Sequence, residues 1–225
     1  MAMLKPVARA ALKRKEYKAN ILSYLSGKIE WSDKSLKPVK DAIRELLRVD
    51  QKDICPYCQR IIIPERRNVN EHIEHFLDKS KAKYKMFAFT ASNLILACQG
   101  CNVEKGTKDL VDKGRAALTR LSRAEAPFLW PHPYFDDMQA CIKKSPGPVY
   151  SPIVGSGREV QAARLIKDLK LNDLQNIETR HGRLVARRGE LLKALMELAL
   201  KNDLESQEKM APLIIEMDMV ISELS

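Results

Sequence analysis

Four cysteines fall into two pairs whose spacing suits a tetrahedral metal site. The pairs are Cys55 with Cys58, in CPYC, and Cys98 with Cys101, in CQGC. A CxxC turn places two thiolates on one side of a tight knuckle, and two knuckles supply the four sulfurs of a zinc site. Because protein side chains would fill all four positions, we expect this ion to be structural. Unrelated buried thiols, or one redox-active CxxC pair, are the alternatives.

The segment between the two pairs carries residue types that can hydrolyse a phosphodiester. Residues 59–97 are too many for an ordinary zinc ribbon, and they include two Glu-His pairs, Glu71-His72 and Glu74-His75. Hydrolysis requires a base that activates water and a cation that neutralises the leaving oxygen. Histidine suits the base because its unperturbed pKa lies near neutral pH, and carboxylate and amide oxygens suit Mg²⁺ or Mn²⁺. The sequence therefore predicts a nuclease site inside a zinc scaffold.

The order of these motifs resembles the HNH endonuclease family. CPYC at 55–58 is followed by IEHFLDKS at 73–80, by NLILACQGCN at 93–102 and by Lys-Gly at 105–106. Within that family the pattern is similar to zinc-stapled proteins of the PtuB type, found in Septu and retron anti-phage systems. The strong resemblance covers roughly residues 55–110, and PHPYFDD at 131–137 and ARLIKDLKLN at 163–172 match the same subfamily more loosely.

The resemblance implies a role for each polar residue of the cluster. Glu74 would bind the catalytic metal, His75 would act as general base, and Asn93 would orient that histidine through its backbone. Asn102 would complete the metal site from the following helix, and Lys105 would occupy a basic position that meets phosphate. The resemblance also implies an effector nuclease of a bacterial anti-phage system with a PtuA-type ATPase as its partner.

Two departures from the family pattern bear on these roles. The proline that usually follows the His-Phe pair is absent, and Asp78 lies near that place. The additional pair Glu71-His72 leaves open a shift of the site by three residues. We assign the base to His75 because Phe76 and the following LDKS frame it as the family pattern does.

The charge of the chain favours a polyanionic partner. The formal net charge is +10 and the isoelectric point is near 9.4, with basic residues concentrated in the first 50 positions. Lys79 and Lys81 lie in a basic loop directly after the predicted base, where they would attract phosphates, although such loops are often only solvated. We expect DNA as substrate, with RNA such as tRNA as an alternative because metal-assisted hydrolysis needs no 2′-hydroxyl. A zinc-ribbon module that binds nucleic acid without catalysis is the other alternative.

Around this core the sequence predicts an α+β fold that is mostly helical. Apolar residues at helical spacing predict a basic helical region at 1–50 and a C-terminal helical region at 158–225. Residues 51–112 form the predicted ββα core, and residues 113–157 form a proline-rich connector. Pro212 is expected to break or begin the last helix.

Within these regions the sequence predicts several local features. Apolar runs predict short strands at 61–63, 68–76 and 93–97, and a helix begins near Cys101. Trp130, Tyr134 and Phe135 are expected to anchor the connector to the core, because they are the large apolar residues in a segment broken by prolines.

Cysteine usage and hydropathy favour a soluble, cytoplasmic protein. Five cysteines are an odd number, and with no signal peptide they argue against a secreted disulfide framework. No run approaches the roughly 18 apolar residues of a membrane span, so we expect no contact with a membrane. The apolar stripes of the C-terminal helices are candidates for docking a partner protein or a second copy in a homodimer, and ordinary core packing explains them equally well.

Overall fold

The computed structural model describes residues 3–62, 70–112, 118–122, 128–145, 149–201 and 203–224. Within these ranges the fold is α+β, with a majority of helix and two small antiparallel sheets, as the sequence predicts. The chain forms two units: residues 1–143 with 151–169, and residues 144–150 with 170–225. All the predicted site residues belong to the first unit.

Between residues 3 and 51 the chain forms three α-helices. They are α1 at Arg9–Leu12, α2 at Lys15–Leu25 and α3 at Lys37–Gln51. The turn that leads into α3 is fixed by Asp33, whose side chain accepts a hydrogen bond from the backbone N–H of Ser35 at 2.8 Å. One face of α3 then buries Val39, Ile43 and Leu47, which recur at helical spacing.

A β-hairpin and a short helix form the part of the first unit that carries the predicted site. β1 (Glu71–His75) pairs antiparallel with β2 (Leu94–Cys98), and α4 (Gln99–Lys105) follows β2 directly. The register sets Glu74 opposite Ile95 and His75 opposite Leu94. Residues 94–97 are completely buried on both faces of the strand, which explains their uninterrupted apolar sequence. The predicted order of strand, strand and helix is thus present at 71–105.

The isoleucine run at 61–63 forms less structure than the predicted strand. Ile61 makes a single antiparallel bridge with Ile54, whereas Ile63 lies outside the described residues. The backbone N–H of Cys55 also donates to the carbonyl of Arg60 at 2.9 Å. These contacts close a tight loop around the first cysteine pair instead of extending a sheet.

Gln51, the last residue of α3, fastens that helix to β2. Its Nε2 donates to the Leu96 carbonyl at 2.8 Å, and its Oε1 accepts from the Leu96 N–H at 2.8 Å. Because Gln51 is completely buried, these bonds replace the water contacts that its amide loses on folding. The basic helix α3 is thereby held against the hairpin.

The proline-rich connector contains short elements and buried aromatic residues. α5 (Met138–Cys141) leads into β3 (Ile142–Ser145), which pairs with β4 (Val149–Pro152), and α6 (Glu159–Asp168) comes after them. Trp130 and Tyr134 are buried, and the Trp130 Nε1–H donates to Asp168 at 2.9 Å. Phe135 is half-buried and stacks on His132 with 4.2 Å between ring centres. The aromatic residues therefore pack against the first unit as the sequence predicts.

The second unit is built around two long helices, α7 (Leu174–Lys201) and α8 (Leu204–Leu224). Arg187 on α7 donates through two nitrogens to the carboxylate of Glu216 on α8, at 2.8 and 3.0 Å. The prediction that Pro212 breaks or begins a helix is wrong, because Pro212 lies inside α8. Proline removes one backbone N–H, and packing of α8 against α7 offsets that loss. None of the described helices combines the length and apolar character that crossing a bilayer requires.

Candidate metal centre and catalytic site

The four predicted zinc ligands come together in the first unit. The Sγ atoms of Cys55, Cys58, Cys98 and Cys101 all lie within 4.8 Å of one another, and those of Cys58 and Cys98 are 3.8 Å apart. Tetrahedral zinc with Zn–S bonds of about 2.3 Å holds its sulfurs about 3.8 Å from each other. The cysteine cluster therefore fits a closed, structural zinc ion, as the sequence predicts.

Local backbone structure explains how the sulfurs converge. In the first knuckle the N–H of Gln59 donates to the Cys55 carbonyl at 2.8 Å, and Gln59 itself has a left-handed φ of 54° that folds the chain back. In the second knuckle Cys98 ends β2 and Cys101 lies in the first turn of α4. The strand-to-helix junction thus aims one cysteine pair at the other.

The thiol groups shift each other's ionisation. Hydrogen bonds from Cys101, Cys55 and Cys58 hold the pKa of Cys98 well below its ordinary value of 9.0, and hydrogen bonds within the cluster also lower the pKa of Cys58. Burial raises the pKa of Cys55, and hydrogen bonds with the other thiols raise that of Cys101. Zinc binds the thiolate form, and the lowered pKa values of Cys98 and Cys58 favour that form at these two residues.

A cavity of about 550 Å³ lies against β1 and α4, and two of the four predicted catalytic residues, Glu74 and Asn102, line it. Glu74 and His72 line it from one face of β1, because alternate residues of a strand point to the same side. Asn102 lines it from α4. A carboxylate and an amide oxygen therefore face one space, and these are the donor types that Mg²⁺ or Mn²⁺ prefers.

Glu74 also forms an ion pair in the interior. The Nζ of Lys105 lies 2.5 Å from Glu74 Oε1 and donates to the His75 carbonyl at 2.9 Å. Burial raises the pKa of Glu74, while the charge of Lys105 opposes that shift. Lys105 is only 1% exposed. This position corrects the sequence analysis, which expected Lys105 to meet phosphate. Its ammonium group is turned inward, where it neutralises a buried carboxylate.

His75 is 3% exposed and does not line the cavity. Its Nε2 lies 3.1 Å from the Ala88 carbonyl, which can only accept, so Nε2 carries the proton and Nδ1 keeps a lone pair. Burial, followed by the charge of Lys79, lowers the pKa of His75 well below 6.5. The Trp31 indole, which does line the cavity, packs edge-on against the His75 ring at 4.6 Å. Trp31 thus lies between His75 and the open space.

Asn93 joins the segments on either side of that histidine contact. Its Oδ1 accepts from the Leu77 N–H at 2.7 Å, and its Nδ2 donates to the carbonyls of Leu77 and Phe87 at 3.1 Å. Leu77 comes two residues after His75, and Phe87 comes directly before Ala88. A completely buried amide therefore fixes the backbone on both sides of the hydrogen bond between His75 and Ala88.

The other Glu-His pair is divided between two tasks. Glu71 is buried and bound by two arginines of α3: Arg44 Nε lies 2.8 Å away, and Arg48 contacts both carboxylate oxygens at 2.5 and 2.9 Å. These cations neutralise Glu71 and tie β1 to α3. His72 also lines the cavity, as does Glu71 itself. A site shifted by three residues would therefore keep its histidine in the open space and have its carboxylate already occupied.

Sequence reasoning missed the wall of the cavity that α3 supplies. Trp31, Lys37, Lys40 and Arg44 line it together with the predicted Lys79, whereas Lys81 is not part of the lining. The spacing of Lys37, Lys40 and Arg44 along one helical face was a usable signal. What the sequence does not reveal is that this face meets β1.

Comparison of the chain with protein-family models, with curated proteins and with solved structures found no match. Residue chemistry and geometry therefore carry the functional assignment.

Proposed function

We propose that this protein is a metal-dependent HNH-type endonuclease that hydrolyses phosphodiester bonds in nucleic acid. The observation that carries the proposal is the meeting of Glu74 on β1 and Asn102 on α4 in one cavity, with a four-cysteine cluster at the junction of β2 and α4. A structural zinc at the cysteines would fix the geometry of β2 and α4. The cavity would then hold the catalytic ion through hard oxygen donors, as Mg²⁺ or Mn²⁺ requires.

His75 is the proposed general base. Its hydrogen bond to Ala88 leaves the Nδ1 lone pair to accept a proton from water, and Asn93 holds the backbone on both sides of that bond. Water would attack phosphorus as its proton passes to His75, and the bond from phosphorus to the 3′ oxygen would break. The departing oxygen would take a proton from solvent. For this the cavity must open past Trp31, whose ring packs on His75.

A divalent ion bound by Glu74 and Asn102 would supply neutralisation of the charge that develops on the leaving oxygen. Glu74 and Asn102 themselves would orient the ion at one wall of the cavity. Lys105, paired with Glu74, would keep that carboxylate ionised when the site is not loaded.

The proposed substrate is DNA, with RNA as the alternative, and the net charge of +10 supports a polyanion of either kind. By its resemblance to PtuB-type proteins, the chain would act as the effector nuclease of a bacterial anti-phage system, in the cytoplasm and together with a PtuA-like ATPase. A homodimer is the other assembly, which the C-terminal apolar stripes suggest.

A zinc-ribbon module without catalysis explains the cysteine cluster and the charge equally well. It gives no reason for a carboxylate and an amide to share a cavity. The experiment that separates the two functions is a cleavage assay with plasmid DNA, linear DNA and total RNA, each with and without Mg²⁺ or Mn²⁺. We expect cleavage that depends on the added ion and is lost in Glu74→Gln and in Asn102→Ala.

The matched control is Glu16→Gln, which removes an exposed carboxylate on α2 and should cut as the parent does. Cleavage that survives both cavity substitutions would contradict the site. A parent protein that binds nucleic acid and cuts none of the three with either ion would favour the binding module.

A further inference from the structure

α3 contributes a mainly basic wall to the cavity, formed by Lys37, Lys40 and Arg44 with Asp41 among them. Lys37 and Lys40 lie three residues apart in the first turns of that helix, and Lys79 reaches the same space from the loop after β1. The sequence analysis assigned Lys79 to nucleic acid and named no individual residue of α3 for that role. The helix is firmly placed, because Arg44 and Arg48 bind Glu71 at the start of β1.

Two of these ammonium groups converge on one aromatic ring. The Nζ of Lys40 lies 5.6 Å from the centre of the Trp31 indole and also donates to the Trp31 carbonyl at 2.9 Å. The Nζ of Lys79 lies 5.3 Å from the same ring centre. The indole therefore holds two cations from separate elements at the boundary of the cavity.

The positive charges of Lys40 and Lys79 are not neutralised by a salt bridge in the described part of the chain. No carboxylate there lies within salt-bridge distance of either ammonium group, whereas Lys37 and Arg44 both contact Asp41. Burial and, for Lys40, the neighbouring Arg44 lower the pKa of both ammonium groups. A bound anion would offset the cost of burying these two charges, and a tetrahedral phosphate can accept hydrogen bonds from several donors at once.

We propose that Lys37, Lys40 and Lys79, gathered around Trp31, bind a phosphodiester of the substrate strand next to the one that is cut. The inference rests on the proposed nuclease function for its substrate. A phosphate here would share the cavity with Glu74 and Asn102. The strand would then be held at two points, and the second point would come from the N-terminal helices and not from the ββα core.

The test is a binding measurement that does not depend on cleavage. Fluorescence anisotropy of a labelled single strand of DNA is followed with the full chain and no added Mg²⁺ or Mn²⁺, over a range of salt. We expect Lys37→Gln/Lys40→Gln to raise Kd about tenfold and to lower the slope of log Kd against log salt by about 0.7, the share of one phosphate contact on a single strand. The control Lys143→Gln/Lys167→Gln removes the same charge at exposed positions outside the cavity and should change both quantities much less.

The single variant Lys37→Gln controls for misfolding of the double variant, because the Lys37 side chain is 74% exposed and its replacement should leave the fold intact. Lys40→Arg, which retains the charge, should restore binding. Equal Kd values for the cavity and control doubles, or a parent that binds neither DNA nor RNA, would overturn the site. Displacement of the strand by inorganic phosphate at the strand's own concentration would also overturn it, by showing a site for the free ion. If the variants change Kd and the salt slope as expected but the parent cleaves neither DNA nor RNA, the phosphate site is supported and the nuclease proposal is rejected.

Discussion

Lys105 Nζ lies 2.5 Å from Glu74 Oε1, and both side chains are buried. The pair joins the first strand of the hairpin to the helix that carries the fourth cysteine. It also places a fixed positive charge on the carboxylate to which we assign the catalytic ion. The pair therefore links the stability of the ββα region to the charge of the proposed site.

The losses of stability from removing the two partners of that pair should not add. We expect Glu74→Gln and Lys105→Met each to lower the free energy of unfolding by about 3 kcal/mol, because each leaves a buried polar group without its counter-charge. The double variant should lose clearly less than the sum of the two. Urea unfolding without added divalent ion measures all four proteins, and additive losses would show that the two groups do not interact.

Zinc should be bound by the four-cysteine cluster and not by Cys141. Cys58→Ser and Cys98→Ser are expected to purify without stoichiometric zinc and to unfold at much lower temperature, since binding of structural zinc is worth about 10 kcal/mol of folding free energy. Cys141→Ala, a buried thiol outside the cluster, should retain the metal. Elemental analysis and thermal melting check both points, and a zinc-replete Cys98→Ser protein would count against the cluster.

The two histidines of β1 should differ in cleavage. His75→Ala is expected to lower the rate by about a hundredfold or more, the usual contribution of a general base, while leaving zinc content unchanged. His72→Ala should retain most of the activity, because the proposed reaction assigns the proton transfer to His75 and gives His72, which lines the cavity, no part in it. The reverse pattern would move the base three residues upstream.

Asn93 should support both stability and catalysis. In Asn93→Ala the Leu77 N–H and the carbonyls of Leu77 and Phe87 lose their buried partner, which should cost about 2–4 kcal/mol. Asn20→Ala removes an amide that donates at an exposed position to Ser35 and should cost under about 1 kcal/mol. Assayed below its melting temperature, folded Asn93→Ala should cut more slowly than the parent. Parent-like cleavage would argue that the amide is structural only.

Acid should destabilise the fold through His132. Complete burial lowers the pKa of His132 from 6.5 to about 3, so the folded state keeps it neutral while the unfolded chain takes up a proton. Stability attributable to this group is therefore full above about pH 6.5 and falls by about 1.4 kcal/mol per pH unit below it, until the folded pKa is reached. His132→Phe, which retains aromatic packing on Phe76, should lose less stability than the parent between about pH 6.5 and about pH 5. Parallel curves for the two proteins would contradict this assignment.

The parts of the site that depend on local spacing could be predicted from the sequence. The two CxxC pairs and the apolar run at 94–97 determine the knuckles and β2 without distant information. The inward turn of Lys105 could not be predicted, because α4 is only seven residues long and the lysine is drawn in by a carboxylate on another element. The basic wall of the cavity could not be predicted for a similar reason. Arg44 and Glu71 are far apart in sequence and meet only after α3 packs on the hairpin. At Pro212, packing between long helices outweighed a strong local signal.

The amide of Gln51 does for β2 what a third strand would do. Both backbone polar groups of Leu96 are satisfied by that one side chain, at the midpoint of an edge that a two-stranded hairpin would otherwise leave open. Open strand edges are templates for polymerisation with other chains. By mimicking a peptide bond, the Gln51 side chain occupies the open edge of β2 at Leu96. A sheet of only two strands can therefore persist without pairing with strands of other chains and aggregating.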